Sequence, residues 1–144
     1  MHDRLLPPLL ALMRLRCIGV AEARRDLVVR LDAQAAAERA MVAIEHRIAR
    51  EAEIASHLAA TDATTEAYGR WLGPARREAT SAGVLHDRAA AETTVARARL
   101  AASRAAAEAV RTVVEQRESV VEAEAERREQ ATIDELTRPS RAPG

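Results

Sequence analysis

The chain has 144 residues with 22 basic residues, all arginine, against 22 acidic ones, so its formal net charge is zero. That balance lacks the cationic footprint of a nucleic-acid binder or of a protein held on an anionic membrane surface. Alanine dominates the 48% hydrophobic content, 31% of residues are charged, phenylalanine is absent, and tyrosine and tryptophan occur once each; a compact core of this size would bury several rings, so the composition points to long helices and coiled coils instead.

Residues 1–8 read as an N-terminal lead-in. The apolar run "LLPPLLALM" ends at Arg14, far short of the roughly 20 residues that span a bilayer. Its two prolines, the arginines after it and the lack of a small-residue cleavage site make it a poor signal peptide. The expectation is a cytoplasmic chain with no direct membrane insertion. Pro7 and Pro8 suit a helix's first turn, where the missing amide hydrogen is not needed.

From Leu9 to about Leu58 only Gly19 interrupts strong helix formers. A helix of that length measures roughly 75 Å at 1.5 Å per residue, which no single compact core covers, so an elongated molecule is expected. A seam threads it at spacings of three and four through Leu10, Met13, Cys17, Val20, Arg24, Leu27, Leu31, Gln34, Glu38, Met41, Ile44, Ile48, Glu51, Ala55 and Leu58. Cys17 falls on this seam and reads as a small buried residue rather than a reactive thiol. As the only cysteine it forms no internal disulfide and fits no paired-cysteine metal motif.

Residues 61–74, "TDATTEAYGRWLGP", gather capping threonines, Asp62, Gly69 and a Gly73-Pro74 pair suited to an N-cap and first helical position. The chain is predicted to turn here. A second helix is predicted from Pro74 to about Leu136, with a seam through Leu85, Glu92, Val95, Ala102, Ala106, Val110, Val113, Arg117 and Val120 towards Ile133, and Gly83 as a weak point. The tail "RPSRAPG", residues 138–144, reads as disordered. The fold class expected is all-α, a long antiparallel two-helix coiled-coil hairpin over residues 9–137. Charge favours that arrangement over a parallel dimer of one uninterrupted helix: residues 1–30 carry six arginines against three acids, and residues 113–136 eight acids against three arginines.

No constellation carries catalysis. His46 and His57 lie about 16 Å apart along one helix, too far to share a metal, and His2 and His86 have no sequence-local ligand partner. Phosphate-binding loops, the His-Glu-x-x-His pattern and nucleophile motifs are all missing from the sequence. The acidic stretch "EQRESVVEAEAERREQ" spreads its carboxylates around a helix, with local pairs such as Glu124 to Arg128, rather than gathering them on a calcium loop. The chain reads as a non-enzyme with no cofactor and no metal, and as a part that touches other proteins.

Two segments carry a resemblance. "YGRWL" is similar to the Tyr-x-x-Phe-(Ile/Leu) start of the second helix in the FliJ family of the flagellar type III export apparatus, with Trp71 in the phenylalanine place. "REQATIDEL", residues 128–136, resembles the Gln-x-x-hydrophobic-Asp-Glu-hydrophobic ending of the same helix. Ala75 stands where the family has leucine, and Pro74 where its helix continues. The related injectisome subunit YscO has the same architecture, so the choice between flagellum and injectisome stays open.

The resemblance implies a non-enzymatic cytoplasmic stalk, peripheral to the inner-membrane export apparatus. Its paired terminal ends would enter an export ATPase hexamer, its turn would face the membrane export-gate protein, and it would bind export chaperones. On this reading Tyr68, Trp71 and Leu72 contact the gate, while Arg14, Arg24 and Arg25, near Glu118, Glu122 and Glu126, contact the ATPase ring. A local packing cluster at the turn is the alternative role for the rings. A stand-alone coiled-coil scaffold that oligomerises through its seams is the alternative for the whole chain. A membrane-surface helix fits less well, since neither helix sets a cationic face against a broad apolar one.

Overall fold

A computed structural model describes residues 3–58 and 61–140. It contains two helices, α1 (Leu6–His57) and α2 (Asp62–Thr137), and no strand among the described residues. The fold is an all-α antiparallel hairpin, as the composition and turn signals predict. Its contacts divide into two units, one of Met1–Ala21 with Ala102–Gly144 and one of Glu22–Ala101. Both helices contribute to both units.

In the unit of Glu22–Ala101, Arg30 pairs with Glu92 at 2.9 Å and Arg47 with Glu78 at 2.7 Å. The partner number falls as the α1 number rises, which fixes the antiparallel sense. Between the helices the Thr93 hydroxyl donates to the Arg30 carbonyl at 3.2 Å and to the Ala89 carbonyl of its own helix at 3.0 Å. The inward row of α1 is Leu27, Arg30, Gln34, Ala37, Met41, Ile44 and Ile48; that of α2 is Ala75, Ala79, Ala82, His86, Ala89, Thr93, Ala96 and Leu100. Each row alternates spacings of three and four, the coiled-coil pattern.

These rows keep Leu27, Gln34, Met41, Ile44 and Ile48 of the sequence-based seam and shift several of its other positions by one residue. Ala23, Arg30 and Ala37 face inward in place of Arg24, Leu31 and Glu38; His86, Thr93 and Ala96 do so in place of Leu85, Glu92 and Val95. Leu31, Leu85 and Val95 stay exposed. Small side chains at the contact let two helix axes approach closely, and only a close approach lets a threonine hydroxyl reach a carbonyl of the facing backbone. Arg30 faces inward because its aliphatic stem lies along the seam while its head reaches Asp26 and Glu92.

In the other unit Val114 is buried and Arg117 lies 3.8 Å from Asp3. The Asp3 side chain also accepts from the Leu5 amide, and its carbonyl from the Leu6 amide, so it caps the start of α1. Pro7 and Pro8 occupy the first turn, as expected. Cys17, placed on the seam by the sequence reading, is exposed, although its neighbours on that seam, Leu10, Met13 and Val20, are half-buried.

The expected charge pairing is also corrected. With Asp3 level with Arg117, most of the acidic stretch 113–136 continues past the start of α1. Beyond Val121 the positions that would continue the α2 seam are Glu124, Arg128, Ala131 and Glu135, all exposed, with Glu124 bridged to Arg128 at 3.7 Å. Register follows the small-residue contact rather than charge, since an exposed ion pair contributes only about 0–1 kcal/mol. The helix ends at Thr137. Of the tail, residues 141–144 lie outside the described residues, as does His2.

The turn is shorter than predicted. Rather than occupying residues 61–74, it is complete by Asp62, and Gly69, Gly73 and Pro74 all lie inside α2. Proline in a helix interior removes one hydrogen bond and costs about 3 kcal/mol. Here the carbonyl deprived of its partner belongs to Arg70, and both Arg70 and Pro74 are on the exposed side, where water can take the place of the lost donor. The next residue, Ala75, is 3% exposed, so the helix resumes its contact with α1 at once.

Candidate functional site

The start of α2 is fixed by Thr61. Its carbonyl accepts from the amides of Thr64 and Thr65, both at 3.1 Å, and its hydroxyl oxygen accepts from the Thr64 amide at 3.3 Å. Thr61 and Thr64 also share a hydroxyl hydrogen bond of 2.8 Å. These bonds satisfy amide groups that a helix start otherwise leaves without a partner. Asp62 in the first turn adds a favourable charge at the positive end of the helix dipole.

On the helix so started, Tyr68 and Trp71 stand three residues apart and share a face. Their ring centroids are 6.1 Å apart with an interplanar angle of 30°, an offset stack of the kind worth about 0.5–1.5 kcal/mol beyond area burial. Tyr68, Trp71 and Leu72 are all half-buried. Of the three predicted gate-contact residues, Tyr68 and Trp71 come together on a helix rather than in a loop, and Leu72 does not line the groove beside them.

The rings form one wall of a shallow groove of about 210 Å³, lined by Glu51, Ile54, Ala55 and Leu58 from α1 and by Thr64, Ala67, Tyr68 and Trp71 from α2. Ile54 and Leu58 are about half exposed, at 47% and 52%. The groove is smaller than the roughly 300 Å³ at which small-molecule sites begin. Its walls are mostly apolar with Glu51 at the rim, a shape suited to an inserted apolar side chain of another protein. Ile54 was missed by the sequence reading because it lies beside the seam rather than on it. The available signal was an isoleucine one turn before Leu58 at the end of α1.

The six residues predicted for an ATPase ring are all exposed, but no single cluster unites them. Arg24 and Arg25 belong to the unit of Glu22–Ala101, whereas Arg14, Glu118, Glu122 and Glu126 belong to the other. Within the latter, Asp3 level with Arg117 puts Arg14 roughly 18 Å along the helix from Glu118. Among the described residues no ion pair joins any of the three arginines to any of the three glutamates.

His46 and His57 are exposed, and His57 lies 3.9 Å from Glu53. No group of three or more His, Cys, Asp or Glu side chains among the described residues is placed to hold a metal ion. No helix among them is long and apolar enough to cross a membrane. No family model, curated protein or solved structure matches the chain.

Proposed function

We propose that this protein is a non-enzymatic adaptor of a type III protein export apparatus, flagellar or injectisome, working in the cytoplasm at the inner-membrane export machinery. In this reading the Tyr68–Trp71 groove docks on the export-gate protein. Exposed charges of the helices, Arg14 and Glu118 among them, meet the export ATPase hexamer, and export chaperones bind along the hairpin.

The observation that supports the reading is the groove itself. Two stacked rings, the only ones in the chain, stand half-exposed beside Ile54 and Leu58 where the two helices join. Aromatic anchors in an apolar setting are the residues that carry binding energy at protein interfaces. A packing role alone would not require the pair to border an open apolar groove.

A pull-down with purified export-gate cytoplasmic domain and export ATPase tests this directly. Wild type should retain both partners. Trp71→Ala should lose gate affinity by an anchor-sized amount, on the order of 2 kcal/mol, while keeping helix content and ATPase retention. Retention of neither partner by folded wild type would reject the assignment and favour the stand-alone scaffold.

A further inference from the structure

Between Ala102 and Glu122, α2 is written as two faces. Its inward residues there are Ser103, Ala107, Val110, Val114, Arg117 and Val121, all buried or half-buried. The residue directly after each of them is charged: Arg104, Glu108, Arg111, Glu115, Glu118 and Glu122. The residue directly before each is uncharged: Ala102, Ala106, Ala109, Val113, Gln116 and Val120. Val113 is 42% and Val120 47% exposed. A division this strict separates a wetted side of the helix from a side that another surface covers.

The same rule places leucines beside the uncharged row. In this antiparallel pair, residues that stand directly before inward ones share one side of the hairpin: Arg47, before Ile48, meets Glu78, before Ala79. On α1, Leu5, Pro8, Leu12 and Gly19 stand directly before the half-buried Leu6, Leu9, Met13 and Val20, and Leu15 continues their row three residues after Leu12. Leu5 is 50% and Leu15 64% exposed. The two rows make one charge-free face of the unit of Met1–Ala21 with Ala102–Gly144. About 21 Å long by helix rise and about 20 Å across two helices, it covers roughly 400 Å² in projection, a size at which an exposed apolar patch marks an interaction site.

We infer that this face is the contact between two copies of the chain, related by a two-fold axis that runs parallel to the helices within the contact plane. That axis turns the same face of each copy onto the other, so a single patch serves both and the interface closes. It lays α1 of one copy over α2 of the other, antiparallel, as in a four-helix bundle. Side-chain size identifies the second copy as the occupant, because the α1 row is rich in leucine whereas the α2 row is alanine at Ala102, Ala106 and Ala109. With Asp3 level with Arg117, Leu12 falls over the partner's Ala109 and Leu15 over the partner's Ala106. Large side chains then meet small ones, as close packing requires.

An axis across the helices would instead set leucine on leucine and leave the two alanine rows facing each other over a gap. A lipid surface suits the face less well, because the charged side mixes Arg104 and Arg111 with Glu108, Glu115 and Glu118 and offers anionic headgroups no net attraction; Arg111 and Glu108 already pair at 3.5 Å. Two copies cover about 800 Å² in projection, and accessible surface, which follows every side chain, raises this towards the ~1,000 Å² at which specific interfaces begin. Arg14 directly follows Met13 and so lies on the charged side with Glu118, and the Tyr68–Trp71 groove belongs to the other unit. The dimer therefore stands or falls independently of the export role.

Sedimentation equilibrium of the full chain tests the dimer, with circular dichroism on every variant. Wild type should be a dimer at micromolar concentration. Leu15→Glu and Ala109→Glu, at exposed positions, should keep wild-type helix content and sediment as monomers, whereas Glu115→Gln, on the charged side, should sediment as wild type. Ala109→Leu should weaken dimerisation about tenfold by overpacking, and adding Leu12→Ala should restore most of the loss. A wild-type monomer, whether or not it co-sediments with phosphatidylglycerol vesicles, would overturn the inference. So would a dimer indifferent to Leu15→Glu and Ala109→Glu, one abolished by Glu115→Gln, or an Ala109→Leu defect that Leu12→Ala leaves unrelieved.

Discussion

Thr93 makes one hydroxyl serve two backbones. At 1% exposure it is the most buried polar side chain described, and its hydrogen is shared between the carbonyls of Ala89 and Arg30. Thr80, Thr94, Thr112, Thr132 and Thr137 bond only back along their own helix, the usual way a threonine is tolerated there. Thr93→Val keeps shape and removes only the donor, so urea unfolding should show a loss of about 1 kcal/mol. Thr93→Leu adds bulk where the helices touch and should cost more, about 1–3 kcal/mol.

At the same scale, Trp71 reports on the groove alone, being the only tryptophan. Half-covered by Tyr68 and open on the groove side, it should emit to the red of a fully buried indole and be quenched by acrylamide. A bound gate domain should shift the emission to the blue and protect it. Blue emission and protection in the free protein would mark the pair as packing residues. The sequence announced these rings as exceptional by their isolation. It could not show that Ile54 joins them, since that contact depends on where two helices meet.

At the scale of the helix, existence, pairing and the α1 seam through Leu27, Gln34, Met41, Ile44 and Ile48 were legible, whereas the α2 seam and the register between the helices were not. Arginine, alanine and glutamate write a helix unambiguously, and the threonines after residue 60 mark a break. Gly73-Pro74 was the stronger local signal for a helix start, yet the capping bonds of Thr61 and the inward contacts of Ala75 and Ala79 outweigh it. The α2 seam was misread at Val95 because hydrophobicity ranks valine above alanine, whereas the contact turns the smaller Ala96 inward. Ala96→Leu, at 2% exposure, should therefore destabilise by about 1–3 kcal/mol, while Leu85→Ala, at 59% exposure, should change stability by no more than about 0.5 kcal/mol. A reversed order would restore the seam through Leu85 and Val95. Gly83 tests propensity without packing, because a Cβ there meets nothing within 4 Å. Gly83→Ala should stabilise by roughly 0.5–1 kcal/mol, seen as a rise in melting temperature.

For the whole molecule, the two units differ in how much they bury. Ile44, Ala75, Thr93, Ala96 and Leu100 all belong to the unit of Glu22–Ala101, and Val114 alone among the buried residues belongs to the other. The first of these is closed by the turn, so its contacts join segments near in sequence and form with little loop-closure cost. The second joins Met1–Ala21 to Ala102–Gly144 across the whole intervening chain. Local opening free energies follow buried contact density, so native-state hydrogen exchange of the dilute protein should show graded protection. Amides of α1 and α2 within Glu22–Ala101 should exchange slowest, those of Leu6–Ala21 and Ala102–Val121 faster, and those from Glu122 to Thr137 fastest, since that stretch has no α1 beside it. Uniform protection along both helices would mean that the hairpin opens as one cooperative body, and that the sparse burial around Val114 is offset by contacts other than those of the isolated chain.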